Sequence, residues 1–153
     1  MNLTKLNHTL QYVTFRLAQN LIGVNILDIR EIVPCARITR VQQAPEFVMG
    51  LMNLRGQILT VLDIGVMLGL TKCRIHPDTH IFIFKHRDVG FAVDQTGDVI
   101  GTDPEHIEAV PANIESGIQK FLENIINLPD EVLMILNAKK LMSQTQYEVP
   151  KEY

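Results

Sequence analysis

The run Cys73-x2-His76-x3-His80 places a thiol and two imidazoles close together, a donor set suited in type to zinc. Pro77 stands between the histidines and keeps them off one helix face, so the run reads as a solvated connector and no metal site is assigned. A serine nucleophile fares no better, because Ser116 and Ser143 lie in no GxSxG elbow. Neither GxxxxGK nor GxGxxG occurs, which removes the usual phosphate cradles. Asp63 could face Asp28 or Glu31 as an acid and base pair, but a turn-capping role suits a lone aspartate better. No catalytic residue and no cofactor is assigned, and the chain is expected not to be an enzyme.

Composition narrows the classes further. With 46% hydrophobic and 20% charged residues in 153, the chain is an ordinary globular one. A net charge of −3 argues against nucleic acid as a partner. The charge is uneven: residues 1–70 carry six Lys or Arg against four Asp or Glu, whereas residues 71–153 carry eight against thirteen. The most apolar stretch, Ile58 to Leu70, contains Asp63 and falls short of the roughly 18 to 20 residues a bilayer requires, so no direct membrane insertion is expected. The opening MNLTKLNHTLQ lacks the apolar centre of a secretion signal. Cys35 and Cys73 are isolated and read as free thiols, which points to the cytoplasm.

Strand signals dominate. YVTFRL sets Val13, Phe15 and Leu17 on one face and Thr14 and Arg16 on the other, the pattern of a half-buried strand. IFIF, at Ile81 to Phe84, reads as a strand covered on both sides. IGVNILDIREI alternates and then slips phase after Ile26, as a β-bulge would require. The two halves also match. Gly23 aligns with Gly90 and Glu31 with Asp98 at an offset of 67, Ile38 with Ile107 at 69, and Asn53 with Asn127, Leu54 with Leu128 and Asp63 with Asn137 at 74. Because the offset grows only between strand-like blocks, the chain is read as two copies of one β unit joined by a linker at Thr71 to Thr79. Each copy ends in a hairpin, turning at Arg55-Gly56 and at Pro129-Asp130, with Gly56 supplying a positive φ. Ala44-Pro45-Glu46 is expected to open a short helical turn, and the KKLM segment a closing one.

These segments carry a resemblance to the CheW family of chemotaxis coupling proteins. It runs from about Tyr12 to Met142 through YVTFRL, IGVNILDIREI, ITRV, APEFVMGLMNLRGQILTVLDI, VGFAVDQTGDVI and VLMILNAKKLM. The resemblance implies an all-β fold of two intertwined small five-stranded β-barrels with short helical segments. Within a single CheW-like domain, 1–153, the first barrel is expected over 12–70 and the second over 80–142. It further implies a non-enzymatic adaptor in a signalling array, with two protein partners: the regulatory domain of a CheA-like histidine kinase and the cytoplasmic tip of a methyl-accepting chemoreceptor. The partner-binding residues it implies are Glu31, Asn53, Arg55 and Gly56, with Glu31 and Arg55 meeting on the first barrel. The second copy keeps an acid, Asp98, but has Pro129 in place of Arg55, so the fold itself does not demand that arginine. Asn25, Ile22, Thr60 and Gly65 depart from residues common in the family. An adaptor of a related non-flagellar array, such as one for surface motility, is the alternative. An unrelated barrel binding a ligand or oligonucleotide is the other, but six Phe, three Tyr and no Trp at core-like positions offer it no stacking stripe.

Overall fold

The computed structural model describes residues 9–114 and 116–144; residues 1–8, part of the segment read above for a secretion signal, lie outside them. Among the described residues twelve strands run in chain order. They are β1 (Leu10–Leu17), β2 (Asn20–Asn25), β3 (Ile29–Pro34), β4 (Ile38–Thr39), β5 (Val48–Leu54), β6 (Gln57–Asp63), β7 (His80–Phe84), β8 (Val89–Val93), β9 (Gln95–Thr102), β10 (Ile107–Glu108), β11 (Leu122–Asn127) and β12 (Val132–Leu136). Three short helices accompany them: α1 (Ile64–Met67) after β6, α2 (Ser116–Gln119) before β11, and α3 (Ala138–Gln144) after β12. The KKLM segment is therefore helical as expected. Pro45 opens only a single turn, closed by Val48 N–H donating to the Pro45 carbonyl at 2.9 Å. No helix among the described residues is long and apolar enough to cross a membrane.

The strands form two six-stranded sheets, ordered β10-β11-β12-β2-β1-β9 and β3-β7-β8-β6-β5-β4. Each has five substantial strands and a sixth of only two residues, β10 or β4. Moving every strand six places along the chain converts one order into the other. The registers agree as well. Val61 sits opposite Gly90 in the parallel β6–β8 pair, and Ile135 sits opposite Gly23 in the parallel β12–β2 pair, so the offsets of 74 and 67 read from the sequence hold residue for residue.

The segments 12–70 and 80–142 each contribute to both sheets. The first hairpin, β1–β2, pairs with β9 and β12 of the second segment, while β7–β8 pairs with β3 and β6 of the first. The chain passes between sheets at two places, a 3-10 turn over Ile26–Asp28 and the single residue Asp94 between β8 and β9. The phase slip after Ile26 thus marks a change of sheet and not a bulge; Asn25 caps the turn by accepting from Leu27 N–H at 2.9 Å. A register shift does occur nearby, between Ile29 and Glu31, and recurs opposite the Val13 to Phe15 step of β1.

Three apolar clusters follow from this layout. Val33, Met52, Leu59, Val61, Cys73, Ile81, Ile83 and Ala92 fill the inner face of the β3–β8 sheet, and Tyr12, Leu21, Ile126, Leu133 and Ile135 fill that of the other. Between the sheets lies the largest cluster, in which Phe15 meets Phe82 edge to face at 5.2 Å and Phe91 at 5.4 Å. Each such ring contributes about 1.5–3 kcal/mol by burial. Both faces of β7 are covered, as expected, with Ile81 and Ile83 inward and Phe82 and Phe84 in the seam. Both faces of β1 are covered too. Thr14 is buried where a half-buried strand would expose it, because β1 lies between the seam and its own sheet's interior.

Candidate functional site

The β5–β6 hairpin positions the most exposed part of the site. Leu54 pairs with Gln57, leaving Arg55 and Gly56 as the two central turn residues, at φ values of 51° and 86°. Two positive φ angles define a type I′ turn, whose twist matches the strands it joins. Gly56 meets that need without strain, and the space where its side chain would lie is open, so conformation alone requires the glycine. Arg55 meets it at a cost that a side chain normally avoids. Asn53 fastens the turn by accepting from Gly56 N–H at 3.0 Å.

From this tip Arg55 reaches Glu31 on β3, Nη2 to Oε1 at 2.5 Å, with side chains 68% and 33% exposed. β3 heads one end of the sheet order and β5 lies near the other, so the ion pair links strands from opposite ends of the sheet. At this exposure the pair adds only about 0–1 kcal/mol to stability, and most of its donors stay open to a partner. Ile32 and Ile58, next to Glu31 and close to the turn, are exposed apolar side chains. Gln57 donates to Asp88 at 2.9 Å, and Arg30 lies 3.7 Å from the same carboxylate. The structure thus brings Glu31, Asn53, Arg55 and Gly56 to one corner. Leu54, half-buried, packs against the inner cluster, and Met52 is core.

The other residues weighed in the sequence have structural partners. Asp63 is fully buried and caps α1, accepting from Val66 N–H at 3.1 Å and Cys73 N–H at 3.0 Å. Burial raises its carboxyl above the ordinary value, against the opposing pull of these backbone donors. Cys73 is not in a solvated loop. It is buried in the interior of the β3–β8 sheet with its thiol donating to Asp94 at 3.3 Å, and burial first, then that carboxylate, raises its pKa. His76 and His80 are each tied through Nδ1 to the backbone of Asp78. The Cys73, His76 and His80 ligand atoms do not converge; among the described residues the convergent set is Asp103, Glu105 and His106, exposed or half exposed. Sequence reasoning missed the pair of Arg16 with Glu131, whose two parallel bonds measure 3.0 and 2.8 Å across 115 residues. No local pattern signals a contact of that span.

Twin sheets around a shared core, with a polar corner held out on a stiff turn, define a protein that works by presenting surfaces, a scaffold. Comparison makes the class specific. The CheW-like domain model matches residues 11–146, and the chain belongs to the CheW-like family, adaptors of chemotaxis that carry no enzymatic activity. It is 27% identical over 138 residues to Chemotaxis protein CheW of Klebsiella aerogenes, covering 89% of this chain and 83% of that one. To Chemotaxis protein CheW of Bacillus subtilis it is 28% identical over 134 residues, covering 85% and 86%. Among solved structures it resembles the scaffolding protein TtCheW of Thermoanaerobacter tengcongensis, with a TM-score of 0.75, 33% identity and 84% of each chain covered.

Proposed function

We propose that this protein couples methyl-accepting chemoreceptors to a CheA-like histidine kinase in the cytoplasm, and that Glu31, Asn53, Arg55 and Gly56 form a docking corner for one of them. Family membership supports the coupling role. The observation that carries the site is the Glu31–Arg55 pair itself, an exposed pair on a strained turn that the duplicate sheet builds without its arginine. A feature that the fold needed for its own sake would recur at Pro129.

Arg55→Ala is expected to shift stability by no more than about 0.5 kcal/mol, as at other surface sites, while weakening receptor or kinase binding. The double reversal Glu31→Arg with Arg55→Glu separates two roles. If the pair only links the two ends of the sheet, the reversal restores binding; if Arg55 docks a partner, it does not. Pull-down with a receptor cytoplasmic fragment and a kinase regulatory domain reads both, and binding by Arg55→Ala equal to wild type removes Arg55 from the site.

A further inference from the structure

With the β3–β8 sheet, which carries Glu31 and Arg55, taken as the first, the second sheet, β10-β11-β12-β2-β1-β9, repeats the docking corner with one part missing. The offset of 67 puts Asp98 where Glu31 stands, and the offset of 74 puts Pro129 where Arg55 stands. Where the first sheet has a guanidinium, the second has a cavity of about 310 Å³, whose lining includes Thr14, Arg16, Thr96, Asp98, Leu128 and Glu131.

Arg16 does not replace the missing cation. Both of its terminal nitrogens donate to Glu131, at 3.0 and 2.8 Å, and the bonding raises the arginine pKa and lowers that of the glutamate. That pair is internally neutral, which leaves Asp98 as the unbalanced charge of the lining. Its place is fixed. Thr14 Oγ1 donates to the Asp98 carbonyl at 2.6 Å, and the neighbouring Gly97 admits no side chain, since a Cβ there would lie 2.5 Å from the same hydroxyl. Asp98 is exposed and lines the cavity together with Ile100, which packs against the sheet's inner cluster, whereas Val99, 53% exposed, does not line it.

We propose that this cavity is a socket for an arginine side chain presented by a partner protein, its guanidinium pairing with Asp98 as Arg55 pairs with Glu31 and its stem lying on Leu128. The first sheet supplies the template in the same chain. A planar fork answers a carboxylate beside acceptor hydroxyls better than a point charge does, which favours arginine over lysine. The volume lies at the bottom of the range for ligand sites, suited to one side chain. The inference is independent of the coupling role, because neither Glu31 nor Arg55 takes part in it.

The test is an amide-resolved NMR titration of the full chain with the capped tripeptide Gly-Arg-Gly and its Gly-Lys-Gly counterpart. Saturable shifts are expected over 96–99 and 128–131 with the arginine peptide, about tenfold weaker in Asp98→Asn. They should vanish in Pro129→Arg, where the new side chain fills the socket from within. Circular dichroism reports whether each variant folds; if Pro129→Arg does not, Asp98→Asn and Asp98→Ala decide. Equal affinity for the lysine peptide, undiminished binding by Asp98→Asn, shifts confined to other surfaces, or no saturable shift with wild type would each overturn the proposal.

Discussion

Asp63 shows how one buried carboxylate can serve structure while looking like chemistry. Its oxygens take Val66 and Cys73 N–H groups, and its counterpart Asn137 takes Lys140 N–H at 3.1 Å in the same capping position. Removing it by Asp63→Ala leaves two donors unsatisfied and should cost about 1–3 kcal/mol. Asp63→Asn should cost less, keeping the cap and losing the bond to Cys73. The pH dependence has a definite sign. Burial raises the folded pKa, so the protonated form is the better tolerated in the fold. The favourable contribution is present below the unfolded value, near pH 3.9, and is lost as pH rises from there through the raised folded value. Urea titrations across that window should show wild type losing stability relative to Asp63→Asn, which has no proton to release. Parallel pH curves for the two proteins would refute the assignment.

At the scale of elements, the hairpin β5–β6 sets a measurable requirement. Gly56→Ala should destabilise by about 1–2 kcal/mol, because an L side chain at φ 86° is strained even in open space. A midpoint unchanged from wild type in urea would show that the turn relaxes freely. Much at this scale was legible in the sequence. The offsets 67, 69 and 74 found strand pairs now seen in register, since apolar alternation and turn residues are local signals. The 3-10 turn over Ile26–Asp28 was not, because a bulge and a change of sheet disturb the period of two alike. Nor did periodicity reveal which copy's strand pairs with which. The meeting of Glu31 and Arg55 is legible only through the family's motifs, whereas Asp98 stands in the sequence as an acid whose partner position holds Pro129.

At the scale of the whole molecule, reciprocal pairing makes the two halves inseparable without breaking sheets. A tryptic nick after the exposed Arg74, in the connector between β6 and β7, should leave the fragments together on size exclusion under native conditions. Each sheet contains strands from both sides of that cut. Fragments eluting apart would mean that the seam of Phe15, Phe82 and Phe91 is weaker than its burial implies. Unfolding should follow as one cooperative transition. The same pairing also imposes an order on synthesis. The segment from Leu10 to Asn25 leaves the ribosome well before its partner strand around Leu133 to Ile135 is made. The β3–β8 sheet can assemble while translation continues, and the β1–β2 hairpin must wait, its outer edges open, until β9 and β12 have followed it.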